Sequence, residues 1–60
     1  MTRQEIAKSF GFTLRSAPDG DFISQGGDDL MKVTGDGKII VYSHDANAFY
    51  VATMISQAPR

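Results

Sequence analysis

The sequence holds no cysteine and a single histidine, His44, so neither a disulfide framework nor a structural zinc site can reinforce its core. An excess of one charge is missing too. Six basic and seven acidic side chains leave a formal net charge of −1, which provides no field to attract nucleic acid or an anionic membrane. No apolar run nears the roughly 20 residues of a bilayer span. The start, Met1-Thr2-Arg3-Gln4-Glu5, also lacks the apolar stretch of a secretory signal. These absences set the expectation of a soluble, cytoplasmic protein without membrane contact. Sixty residues make a single small domain, 1–60. So short a chain hides only about 60% of the surface that it exposes when unfolded. Domains of this size without covalent staples often dimerise or dock on a partner.

What is present is enough apolar surface, 42% of residues, to offset the ordering of the chain. Thr2-Arg3-Gln4-Glu5 is a capping box, which predicts a helix from Arg3 to Phe10 with Ile6, Ala7 and Phe10 on its apolar stripe and Gly11 at its end. From Phe12 to Tyr42 the pattern is that of short strands separated by turns: Pro18-Asp19-Gly20, then Gln25-Gly26-Gly27-Asp28, then Gly35-Asp36-Gly37. The last loop length sets a register that pairs Val33 with Ile39 and Met31 with Val41 on one face, and Lys32 with Ile40 and Leu30 with Tyr42 on the other. Both faces are largely apolar, so the Leu30/Ile40/Tyr42 face is expected to be covered by a helix of the chain or by another molecule.

Ala48 to Ile55 is a continuous apolar run that suits either a helix or a buried strand. A helix is expected, with Asp45 as N-cap and Ala48, Val51, Ala52 and Ile55 on one stripe, and with Pro59 barring continuation. The strand alternative rests on Phe49, Tyr50, Val51, Thr53 and Ile55, all good strand formers. The fold class is therefore α+β: a short antiparallel meander of three to four strands with a helix at each end.

No catalytic, cofactor-binding or metal-binding residue is expected. Ser43-His44-Asp45 holds the residue types of a hydrolytic triad, but three consecutive residues cannot form the relayed geometry. Five of the six aspartates sit beside glycines in Asp19-Gly20-Asp21, Asp28-Asp29 and Asp36, at intervals that do not match a calcium loop and in segments where aspartate serves turns. The glycine pairs lack the lysine and hydroxyl of a phosphate-binding loop.

Thr2 to Thr13, with Ala7 and Gly11 four residues apart, resembles the first helix and turn of bacterial helix-turn-helix repressors, including the winged-helix SOS type. The resemblance covers about the first fifth of the chain. It implies DNA binding through Arg3, Lys8, Arg15, Lys32 and Lys38, with the Gly35 hairpin as a wing. Against it, Pro18 and Gly20 fall where the recognition helix would run.

Leu, Ile, Val, Met, Phe and Tyr beyond the initiator number eighteen, more than a domain this small can enclose. The expected function is a non-enzymatic protein-interaction module, a homodimer or a small inhibitor or adaptor of the kind that phages and mobile elements encode. Its expected contact residues are Tyr50 and Met54 on the last helix, together with Leu30, Ile40 and Tyr42 on the sheet.

Overall fold

In the computed structural model, which describes residues 2–57, the Thr2 hydroxyl accepts from the Glu5 backbone N–H at 3.1 Å and the Glu5 carboxylate accepts from the Thr2 N–H at 3.0 Å. This reciprocal pair satisfies two backbone donors that a helix start leaves open. It opens α1, Arg3–Ser9, one residue shorter than the pattern predicts because Phe10 is the C-cap. The end is fixed by two backbone bonds, from Gly11 N–H to Lys8 O at 2.9 Å and from Phe12 N–H to Ala7 O at 3.0 Å. Together they form the double closure of a Schellman turn.

Four antiparallel strands follow in the order β1 (Thr13–Ala17), β2 (Gly20–Gln25), β3 (Asp28–Thr34) and β4 (Ile39–Val41), each paired with its neighbour in sequence. The β2–β3 reversal is a two-residue turn with positive φ at both Gly26 and Gly27, the backbone that a tight hairpin needs to match strand twist. At Gly20 the demand is for space. A Cβ there would collide with the Val33 carbonyl oxygen and come within 2.9 Å of the Thr34 Cα, so only glycine allows β3 to lie this close. The β3–β4 pairing is the register read from the loop length: Val33 opposite Ile39, Lys32 opposite Ile40, Met31 opposite Val41. Tyr42 lies just past β4 but still donates its N–H to Leu30 O at 2.9 Å.

The last segment is helix α2, Ala46–Gln57. Asp45 caps it, its carboxylate accepting from the Ala48 N–H at 2.9 Å. The buried stripe is Ala48, Val51, Ala52 and Ile55, as the 3.6-residue spacing predicts. Strand propensity at Phe49, Tyr50 and Thr53 yields to that stripe, since tertiary packing outweighs an intrinsic preference of under about 1 kcal/mol. Pro59, the expected stop, lies outside the described residues.

Both helices pack on one face of the sheet. Ile6 and Ala7 of α1, together with Phe12 just after it, join Leu14, Ile23, Met31 and Val33 of the strands and the α2 stripe in one buried cluster. The result is a two-layer α+β domain. One charge enters the covered side: Asp21, expected from the sequence to begin the second strand, does lie in β2, and its side chain is buried and paired with Arg3 of α1. That ion pair ties the first helix to the second strand.

Candidate protein-contact surface

The outer face of the sheet has no helix over it. Of the two covers the sequence left open, a helix of the same chain is therefore excluded for residues 2–57, and Ile40 and Tyr42 stand 42% and 54% exposed. The register lines up Arg15, Phe22, Lys32 and Ile40 as direct cross-strand neighbours across all four strands. At the centre is Phe22, half-buried. The Arg15 guanidinium carbon lies 4.5 Å from its ring centroid and the Lys32 ammonium 5.1 Å, while the Tyr42 ring stacks beside it at 6.3 Å and 16°. Each cation over the ring contributes about 0.5–1 kcal/mol at an exposed site, which favours this arrangement of the side chains.

Both cations are also neutralised. Arg15 bonds Asp29 at 2.6 Å across β2, and Lys32 bonds Asp19 in the first turn. The hydrogen bond from Lys32 holds the Asp19 carboxyl below its ordinary range. The face is thus electrically balanced, with an aromatic centre and an apolar edge at Ile40 and Tyr42.

The five residues expected to form one contact surface divide between two sides of the molecule. Ile40 and Tyr42 belong to the outer face. Leu30 is half-buried against the core cluster, because it is the residue that a β-bulge leaves without a partner: Ile23 pairs with Met31, but Ser24 pairs with Asp29. Met54 is likewise partly buried on the core and does not offer a free surface. Tyr50 is 54% exposed but leans edge-on against Phe10, with centroids 5.3 Å apart and an 80° angle between planes, and so joins the two helices. Since α2 lies on the inner side, Tyr50 and Met54 cannot form one patch with Ile40 and Tyr42.

Phe22, Arg15 and Lys32 were missed as members of the surface. Counting back from the Gly26-Gly27 turn without a bulge would put Phe22 opposite Met31, on the covered side; the extra residue at Leu30 moves it opposite Lys32. Phe49 was missed as well. It is half exposed and borders a shallow apolar groove between β4 and α2, lined by Met31, Val41, His44, Asp45, Ala46 and Phe49.

Of the five basic residues that the repressor resemblance marks, four face a carboxylate. Arg3 faces Asp21, Arg15 faces Asp29, Lys32 faces Asp19 and Lys38 lies 4.0 Å from Asp36. Where a recognition helix would follow Gly11, the chain forms β1. Among the described residues, no three histidine, aspartate or glutamate side chains gather as a cation site, and no helix is long and apolar enough to cross a membrane. No protein-family profile, curated protein or solved structure matches this chain.

Proposed function

We propose that this protein acts without chemistry of its own, as an interaction module that meets a protein partner through the outer face of its sheet. The single observation that carries the reading is the bare face itself: Ile40 and Tyr42 are exposed beside a Phe22 ring fixed by Arg15, Lys32 and Tyr42. Rigid aromatic side chains flanked by arginine are what protein contact surfaces favour, because they bury large area at little cost in side-chain entropy. Balanced charge fits the same reading. A face that binds nucleic acid gains most of its affinity from unpaired cations, and here Arg15 and Lys32 each already face an aspartate.

The test is capture of partners from the native host by the tagged chain, compared with an Ile40→Ser/Tyr42→Ser variant and a Tyr50→Ala variant. A partner retained by Tyr50→Ala and lost by the double variant supports the reading. Equal capture by all three refutes it. Capture that is released by nuclease would favour the DNA-binding alternative instead.

A further inference from the structure

The two edges of the sheet differ in how they are guarded. Edge strands expose unpaired backbone N–H and C=O groups, and proteins usually shield them with charge, proline or bulges. β1 carries Arg15 and runs into Pro18, which blocks extension of its ladder. β4 is Ile39-Ile40-Val41, with no charge and no proline, and Tyr42 continues its apolar run. Among the described residues, its protection is shortness.

We infer that β4 pairs with β4 of a second copy of this chain, antiparallel and centred on Ile40, joining two four-stranded sheets into one. This rests on the reading of the chain as an interaction protein and names its first partner. The backbone fixes the register. Thr34 donates to Lys38 O and Tyr42 donates to Leu30 O, so Lys38, Ile40 and Tyr42 turn their backbone groups toward β3, and Ile39 and Val41 turn theirs outward. Only a two-fold axis at Ile40 sets Ile39 opposite the partner's Val41, and Val41 opposite the partner's Ile39. That arrangement uses every outward group of the strand in about four ladder bonds.

Side chains agree with the same axis. Ile40 meets the partner's Ile40 on the outer face as a non-hydrogen-bonded pair, the closer kind of cross-strand neighbour. Lys38 comes beside the partner's Tyr42, a cation next to an exposed aromatic ring. On the inner side the partner's Ile39 arrives next to Val41, at the mouth of the groove that Phe49 borders. Because a two-fold axis normal to the sheet preserves its faces, the helices of both copies stay on one side and the two outer faces become continuous.

A contact of standard size hides about 800 Å² on each partner, roughly a fifth of the 3840 Å² surface of this chain. A three-residue ladder with its flanking side chains falls short of that, so the expected dimer is reversible, with dissociation in the micromolar range.

Sedimentation velocity from about 1 to 500 μM tests it, together with two sets of variants. The wild-type chain is expected to shift from monomer to dimer mass across that range. Ile40→Lys sets two like charges together on the axis and is expected to raise the dissociation constant at least tenfold, as is Ile40→Glu. An equimolar mixture of the two is expected to recover dimer, because only this register brings position 40 against itself. Since the chain has no cysteine, Ile40→Cys supplies a single thiol at a spacing that suits a disulfide, and oxidation should link it far faster than Ser16→Cys on the guarded edge. Monomer mass throughout the range overturns the inference, as does failure of the mixture to recover dimer or equal linking rates at the two edges. A wild-type chain that stays monomeric yet captures another protein through the outer face would refute this pairing alone and leave the interaction reading standing.

Discussion

On its inner face the sheet presents Leu14, Ile23, Met31 and Val33 to two helices, whereas on its outer face Phe22, Ile40 and Tyr42 meet solvent beside Arg15 and Lys32. Both faces are apolar along the strands, yet only one has a cover. The difference follows from where the two helices pack. Among the described residues, two short helices joined through Phe10 and Tyr50 span one side of the four-stranded sheet, and no helix lies over the other. What holds the fold is therefore separable from what the fold offers to a partner, and substitutions on the two faces should separate in the same way.

The largest effect is expected at the close approach of β2 and β3. Gly20→Ala forces a methyl group into the backbone of Val33 and Thr34, at a cost of about 4 kcal/mol. A domain of this size has about 3–9 kcal/mol of stability in total, so circular dichroism should find the melting temperature lowered by roughly 15–30 °C. A native spectrum with an unchanged melting temperature would contradict the packing described.

Next in size is the ion pair on the covered side. Arg3→Met leaves the Asp21 carboxylate buried without a partner and should cost about 2–3 kcal/mol, at the low end for such a loss because Arg3 is itself partly exposed. Replacing both partners, Arg3→Met with Asp21→Val, should recover most of it. Urea titration of the three proteins measures the coupling.

On the outer face Phe22→Ala should cost less, about 1–2 kcal/mol, since the ring is only half-buried and its loss frees Arg15 and Lys32 to solvent. The smallest effect is acidification. The Glu5, Asp19 and Asp36 carboxyls lie below their ordinary range, through hydrogen bonds from Thr2, Lys32 and Thr34 respectively. A depressed folded-state value gives stability that is complete above the unfolded value, near pH 4, and is lost as pH falls through the folded one. The urea midpoint should thus be flat from pH 7 to about pH 5 and decline below pH 4, modestly because all three groups are exposed. A midpoint that rises on acidification would reverse the sign.

Much of the inner face was legible in the sequence. The capping box at Thr2 and Glu5, the Gly35-Asp36-Gly37 register and the α2 stripe from Ala48 to Ile55 are local patterns, and local hydrogen bonding and helical spacing realise them. The outer face was less so. A bulge shifts Phe22 by one residue relative to its turn, and a one-residue shift exchanges the faces of a strand. Nor does spacing reveal that Met54 and Leu30 settle on the core, because an apolar residue at the margin of a stripe can turn either way. Asp21 was hidden for a related reason: its partner, Arg3, lies eighteen residues away on another element.

The separation of the two faces is tested most directly by the unfolding free energies of Ile23→Ala and Ile40→Ala, measured side by side by urea titration at a dilution that keeps the chain monomeric. The same change is made on the two strands that flank β3, once on each face. Ile23 is fully buried and its truncation should cost about 3–4 kcal/mol, whereas Ile40 should cost under about 1 kcal/mol. Equal losses at the two positions would show that the outer face is part of what holds the molecule together, and would contradict its assignment as a surface kept for a partner.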